Sequence, residues 1–332
     1  MKIFVFNSDE YQDYLSDLIN CYLFSTSLDI TTNYLPPFLF DDFLDKESLY
    51  GKGFTVYGKL DSSIKNNIST VNESEILNII NNSEFDLIIF TSIRRTFAGS
   101  SIVEKYLKEI GTYVDSKKII TVDGEDDNTV LNNVSSNFRY YKRELISKNT
   151  NTAYPISFSF PEHFDNFKIT DIKKKLNILA PMDPRFSNSY IFNEENYYKQ
   201  YANSIFGTTT KKGGWDCLRH YEIIAAGCLP YFPGIEKKPS TIMTNYPVEL
   251  QIRINDIFEN IILSGENIDS VERLTSSSHS RPVKKIMKKM SKMNVLENNL
   301  DDLQNLNDEL QVWYQSNGKS NIYKFLLNTK DY

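Results

Sequence analysis

Residues 211–232 read KKGGWDCLRHYEIIAAGCLPYF, and the order of residue types in this stretch dictates its local structure. Two lysines and two glycines precede Asp216, whose short carboxylate suits a helix N-cap. Gly227 suits the position just past a helix end, and Pro230 blocks any continuation. The stretch therefore predicts a helix over 217–226 followed by a short strand, LPYF. Such a helix entrance presents backbone N–H groups and the positive end of the peptide dipoles, and both favour an anion. Gly213 and Gly214 let a phosphate approach the main chain with no Cβ in the way, and Lys211 and Lys212 add formal charge. This is chemistry suited to a diphosphate. There is no G-x4-G-K-[ST] and no G-x-G-x-x-G after a strand, so two familiar phosphate loops are excluded.

The surrounding chain alternates strands with helices. KIFVF (2–6) is a short apolar run that gives way at once to polar residues, as a parallel strand leaving a sheet does. Residues 11–24 show helical periodicity through Tyr14, Leu15, Leu18, Cys21 and Tyr22. FDLIIFTS (85–92) and KKIITVDGEDD (117–127) repeat the pattern of strand then polar loop. Between them 101–111 predicts a helix closed by Gly111. This alternation predicts a parallel α/β sheet. Residues 33–60, rich in aromatics, Pro and Gly, read as a long loop. The pattern lapses over 148–175, which reads as a crossing between domains. A second α/β series begins with LNILAPMD (176–183), continues through a tyrosine-rich helix near 194–206 and the 211–232 stretch, and reaches 248–265. The tail predicts helices: Val283, Ile286, Met287 and Met290 form one apolar face, and Leu303, Leu306, Leu310 and Trp313 another. The expected domains are 1–160 and 161–332.

The 332 residues are 40% hydrophobic and 13% aromatic, enough for two domains with real cores and against global disorder. Net charge is −6 and unevenly placed. Residues 1–165 carry 15 Lys and Arg against 24 Asp and Glu, while 166–332 carry 22 against 19. An acidic half beside a slightly basic one argues against a nucleic-acid binder and fits a small anionic ligand held by the second half. Cys21, Cys217 and Cys228 show no CxxC spacing and His163, His220 and His279 no HxxxH spacing. That argues against a zinc site and fits a reducing, cytoplasmic compartment. The N-terminal apolar run stops at Asn7, too short for a signal-peptide core, and no run is long enough for a membrane span.

Several side chains could carry chemistry. Arg219 and Glu222 are three apart, hence neighbours on one helix face. An Arg toward phosphate and a carboxylate accepting two ribose hydroxyls make a nucleotide clamp; a surface ion pair is the plainer alternative. Asp183 and Arg185 follow the first strand of the second series, with Arg185 a second phosphate contact or a partner of Asp183. His220 is a candidate proton carrier or a structural histidine, and Trp215 a base-stacking or core indole. Lys142 and Arg143, in YYKREL (140–145), either reach across a cleft or lie on a solvated helix face. DGEDD (123–127) ends a strand, where ligands of parallel sheets collect. One of Asp123, Glu125 and Asp126 is therefore expected at the interdomain cleft as a general base, with Asp9 and Glu10 in reserve. Alternatively, the cluster could hold a divalent metal on a nucleotide-sugar diphosphate.

RHYEIIAAGCLPYF (219–232) resembles the donor-site signature of exostosin-like glycosyltransferases: an Arg, an acidic residue three later, Gly-Cys, an aliphatic residue, then Pro and a strand. Here these are Arg219, Glu222, Gly227, Cys228, Leu229 and Pro230. The Glu-x4-Gly-x-x-Pro part also resembles the wider GT-B glycosyltransferases, in which that glutamate binds the nucleotide ribose. Many retaining members carry another Glu eight residues earlier; that position is Gly214 here, with Asp216 as a candidate substitute. The resemblance implies a GT-B-like α/β fold of two Rossmann-like domains facing a cleft. It also implies a donor nucleotide in the second domain, an acceptor approaching from the first, and a last helix, 320–328, that crosses back to the first domain. The implied activity is metal-independent transfer of a sugar from a nucleotide-diphosphate sugar to a hydroxyl of a glycan or other acceptor. A catalytically silent nucleotide- or sugar-binding protein of the same architecture, and a metal-dependent transferase using 123–127, are the alternatives. Membrane contact through the lysine-rich 282–292 is the lesser reading of that helix.

Overall fold

The computed structural model describes residues 1–7, 12–49, 56–94, 101–146, 152–161, 167–184, 193–260 and 299–327. Its first element is β1 (Lys2–Phe6), whose alternating side chains feed both faces of a sheet. Helix α1 (Tyr14–Phe24) follows, started by the Asp13 carboxylate, which accepts from the N–H groups of Leu15 and Ser16. The first half continues with β2 (Asp29–Thr32), β3 (Ile68–Thr70), α2 (Ile76–Asn82), β4 (Leu87–Phe90) and α3 (Ser101–Ile110). It closes with β5 (Ile119–Asp123), α4 (Asn132–Ser135), β6 (Arg139–Lys142) and β7 (Ala153–Pro155). These seven strands form one parallel sheet in the order β3-β2-β1-β4-β5-β6-β7. The direction of winding reverses between β1 and β4, as in doubly wound Rossmann-like sheets.

Alternation along the strands builds two layers. Ile3, Val5, Leu87, Ile89, Ile120 and Val122 pack on one face, and Phe4, Phe6, Ile88, Phe90 and Ile119 on the other. The first of these layers runs without a break into the core of the second half. There β8 (Asn177–Leu179), α5 (Glu194–Ala202), β9 (Ser204–Thr208), α6 (Leu218–Ala225) and β10 (Leu229–Tyr231) give a parallel sheet of three strands among the described residues, ordered β10-β9-β8. Helices α7 (Val248–Phe258) and α8 (Leu300–Trp313) complete it. Leu303, Leu306 and Leu310 are buried, as their spacing predicts, and the Trp313 indole N–H donates to the Asn245 carbonyl at 2.6 Å. The 3-10 segment Ser320–Leu327 then returns to the first sheet. Its Tyr323 hydroxyl donates to the Ser157 carbonyl at 3.1 Å, and Phe325 lies 5.3 Å from the Tyr141 ring. The fold is thus α/β, with two parallel sheets.

Among its described residues 33–60 is mostly irregular, as expected, and Phe38, Leu39, Phe40, Leu49, Val56, Tyr57 and Leu60 are buried there beside α1. Two expectations change. The crossing at 148–175 contains β7, whose Pro155 is tolerated because this strand is the sheet edge. The helix in 211–232 starts at Leu218 with Cys217 at the N-cap, and no side chain caps it. The predicted apolar face at Val283, Ile286, Met287 and Met290, and the lysine-rich 282–292, lie outside the described residues. Among the described residues no helix is long and apolar enough to cross a membrane.

Helix α6 ends as its sequence predicts. Gly227 has φ +75°, and the Cys228 N–H bonds the Ile223 carbonyl at 3.1 Å. A Cβ there would overlap the backbone carbonyl of Ile169, whereas Gly234, at φ +77°, has nothing within 4 Å of that position. Gly234→Ala should cost about 1–2 kcal/mol, the price of the left-handed conformation alone. Gly227→Ala should cost more than that, because the Ile169 backbone must also shift. Denaturant midpoints of the two variants test this, and equal losses would show that the Ile169 carbonyl yields freely.

Candidate functional site

The carboxyl ends of β5 and β6 meet the loop that follows β9. At the end of β5 the three acidic candidates separate. Asp123 is buried, accepting from Tyr140 Oη at 2.5 Å, Lys142 Nζ at 3.1 Å and the Glu125 N–H at 3.0 Å. Burial pushes Asp123 upward and Lys142 downward from their usual ranges, and their mutual attraction opposes both shifts. Glu125 is half-buried, and its carbonyl accepts from Lys142 Nζ at 2.7 Å. Asp126 is 63% exposed, pairs with Arg143 Nη2, and lies where a Cβ on Gly213 would stand. Asp127 pairs with Arg94 through both oxygens. Of the three candidates, then, Asp126 touches the second half. Asp9 and Glu10 lie outside the described residues.

Lys142 and Arg143 belong to β6 and its end, not to a solvated helix face. Arg143 donates from Nε to the Gly124 carbonyl at 2.9 Å and from Nη1 to the Asp216 carbonyl at 2.5 Å. Its guanidinium lies 4.7 Å above the Phe158 ring. Glu144, next in the chain, accepts from the N–H groups of Trp215 at 3.0 Å and Asp216 at 2.9 Å. A Cβ on Gly214 would overlap that carboxylate. The glycine pair does admit an anion to the main chain, but the anions there are the protein's own Glu144 and Asp126. No feature of the sequence singled Glu144 out, although YYKREL placed its neighbours at the junction.

On the second half the predicted residues divide. Asp216 is not the N-cap: its carboxylate accepts from the Phe158 N–H at 2.6 Å and from Tyr221 Oη at 3.2 Å, which turns it away from α6. His220 is sealed. Its Nε2 meets the Trp215 carbonyl at 2.9 Å, so this nitrogen carries the proton, and Nδ1 accepts from Thr209 Oγ1 at 2.8 Å. Burial lowers its pKa to about 3, and it stacks on Phe232. It is a neutral structural histidine, not a ligand or proton carrier. Lys211 is exposed and sits 5.1 Å over the half-buried Trp215 ring. Lys212 is exposed as well, and partial desolvation and then Arg219 pull it below the usual lysine range. Arg219 and Glu222 are 9% and 8% exposed, so they are no solvated surface pair. Glu222 Oε2 accepts from Tyr197 Oη at 2.5 Å, a contact with α5 that spacing along α6 did not show. Asp183 is buried after β8, and Arg185 lies outside the described residues.

Asp123 and Asp127 face Lys142 and Arg94, and among the described residues no group of three His, Cys, Asp or Glu is arranged to hold a metal. No protein-family model matches the chain, and no curated protein matches it. Among solved structures, it is similar to an alpha-glucosyltransferase in complex with UDP-glucose and DNA containing an abasic site. Identity is 11%, 98% of each chain is covered, and the TM-score is 0.47. It is also similar to an alpha-glucosyltransferase in complex with UDP and a 13-mer DNA containing a HMU base. Here identity is 10%, coverage is 93% of this chain and 99% of that one, and the TM-score is 0.44. Superposition at this level assigns no residue, ligand or reaction to this chain.

Asp216 has a measurable signature. Burial raises its pKa to about 6, with Glu144 adding to the rise and Arg143 and the Phe158 N–H opposing it. A folded-state pKa above the unfolded value means the native protein binds the extra proton between about pH 4 and 6. Stability from this group is therefore lost as pH rises through that window. Asp216→Asn removes the titration, so its stability should gain on wild type from pH 4 to 6 and then run parallel. Thermal melts across pH test this; a pH-independent difference would contradict it.

Proposed function

We propose that the protein is a glycosyltransferase of GT-B type, moving a sugar from a nucleotide-diphosphate sugar to an acceptor hydroxyl. The observation that carries this reading is the burial of Arg219 and Glu222 one turn apart on α6. In the proposed complex Lys212 and Arg219 meet the diphosphate and stabilise the charge that develops on it as the sugar leaves. Glu222, oriented by the Tyr197 hydroxyl, accepts the ribose hydroxyls. The resemblance of 219–232 to the exostosin-like donor signature supports the same assignment. Arg185 is retained as a proposed second phosphate contact, and Lys211 becomes a peripheral one, since its ammonium lies on Trp215. Gly213, Gly214, Asp216 and His220 shape the loop rather than touch the donor.

The first half would receive the acceptor, with Asp126 as the proposed base, because Asp123 is committed to Lys142 and Tyr140. Chemistry without a metal is part of the proposal, and the pairing of Asp123 and Asp127 with cations supports it. A cytoplasmic setting is proposed from the three free cysteines, two of them buried. The silent-binding alternative shares this donor site and differs only in transfer.

Calorimetry with UDP, GDP and their nucleosides tests the donor site. Glu222→Ala should weaken diphosphate and nucleoside binding alike, by about tenfold or more for lost bonds to a charged acceptor. Lys212→Ala should weaken diphosphates by a similar order and spare nucleosides, while Lys211→Ala should change either by less than about threefold. Unchanged affinity in Glu222→Ala removes the clamp. A transfer assay over a panel of nucleotide sugars tests the chemistry, with glycan and hydroxyl-bearing DNA acceptors. EDTA should leave the rate unchanged, and Asp126→Asn should abolish transfer while keeping donor affinity. Donor binding without transfer to any acceptor would favour the silent reading.

A further inference from the structure

The loop that carries Lys211 and Lys212 into α6 is held by the other half of the molecule. Glu144 and Arg143 each have side chains 2% exposed, so both charges are out of water and depend on protein partners. They bond to each other at 3.0 Å, and Arg143 spans to Gly124, Asp126 and the Asp216 carbonyl. The two oxygens of Glu144 each take one N–H of the loop, from Trp215 and Asp216. The Asp216 carboxylate returns the contact by accepting from the Phe158 N–H, and Thr241 Oγ1 donates to the Leu145 carbonyl. Both peptide faces at 215–216 are thereby fixed: the N–H groups by Glu144, the Asp216 carbonyl by Arg143.

Resting on the donor reading above, we propose that Glu144 is a positioning residue for the diphosphate site. It acts through the 213–216 backbone, which sets where Lys212 stands relative to Arg219. Glu144 touches no donor atom in this assignment. Its carboxylate supplies two acceptors in one rigid plane, and an amide cannot do that, since one arm becomes a donor facing an N–H. Gln at this position keeps volume and polarity while breaking one of the two loop contacts. The loop then shifts where an N–H faces the amide, although Arg143 and the Phe158 N–H still hold Asp216, and Lys212 moves with it. The ribose side of the site, Glu222 on Tyr197, lies beyond the first turn of α6 and is held by α5, so it is spared. The first half would thus govern affinity for the phosphates but not for the nucleoside.

The test compares wild type with Glu144→Gln and Glu144→Asp, using UDP, GDP, uridine and guanosine as probes. Glu144→Gln should lose about tenfold in diphosphate affinity with nucleoside affinity unchanged, and Glu144→Asp, which keeps both acceptors, should recover part of the loss. In a Trp313→Phe background the remaining indole, Trp215, reports the loop directly, and its emission should shift in Glu144→Gln without ligand. If Glu144→Gln fails to fold, Gly214→Ala serves instead: its Cβ displaces the same carboxylate without removing it, and the same selective loss is expected. Equal loss for diphosphates and nucleosides, or no loss for either, overturns the positioning role while leaving the donor site standing. A wild-type protein that binds no nucleoside diphosphate overturns the donor reading itself, and the positioning role with it.

Discussion

One buried carboxylate holds the junction together. Glu144 brings a negative charge into a place without water, and it is tolerable there because two backbone N–H groups and a guanidinium converge on it. None of those partners can be withdrawn cheaply. Losing the 215–216 N–H groups would strand the carboxylate, and losing the carboxylate would strand two buried donors and leave Arg143 with fewer acceptors. The geometry depends on β6, whose ladder with β5 runs from Arg139 to Lys142 and continues through the Arg143 N–H to the Asp123 carbonyl at 3.0 Å. Strand pairing in the first sheet thus fixes the start of α6 in the second.

The parts of this architecture that were legible in the sequence are those where one period dominates. KIFVF, FDLIIF and KKIITVD are short apolar runs with polar exits, and they became β1, β4 and β5. Leu303, Leu306 and Leu310 show an unambiguous helical stripe. Segments whose side chains are consumed by tertiary contacts were not legible. Phe38, Phe40 and Tyr57 lie in an irregular segment, as their lack of either period predicts, and local pattern does not show that they fill the space beside α1. YYKREL carries charges at adjacent positions, which local pattern reads as a solvated helix face. Only the pairing of β6 with β5 reveals that Lys142 meets Asp123 and that Arg143 and Glu144 leave the sheet toward the other half. Asp216 misleads for a related reason. An Asp before a helix is a good cap in isolation, but a buried N–H at Phe158 competes for the same oxygen and wins.

The candidate site shows the same limit in chemical form. Two adjacent glycines establish that something approaches the backbone closely, and the cationic context implies that it is negative. At 213–214 the groups that approach are Asp126 and Glu144. What no local pattern supplies is whether the negative group comes from a ligand or from the chain. Likewise the sequence leaves His220 either a proton carrier or a structural histidine; Phe232 and Thr209, remote or separated by the loop, enclose it and favour the second. Arg219 and Glu222 were legible as a pair from their spacing, and their burial is what local spacing could not give.

The uneven charge of the two halves acquires a spatial meaning at this junction. The acidic first half sends Glu144 and Asp126 to the loop, so the backbone of 213–216 is already neutralised from that side. A phosphate entering between the same glycines would meet two carboxylates within contact range, and repulsion there outweighs any gain from the peptide dipoles. The cations behave differently. Lys212 is exposed, and partial desolvation followed by the Arg219 charge lowers its pKa. Like charges kept together in a partly desolvated place are relieved when an anion arrives, and the relief is larger for a diphosphate than for a single carboxylate. Glycine therefore serves here to admit an internal anion that fixes the loop leading from Lys212 into α6. In the proposed donor site, phosphate affinity would come from Lys212 and Arg219 rather than from bare backbone at the helix entrance.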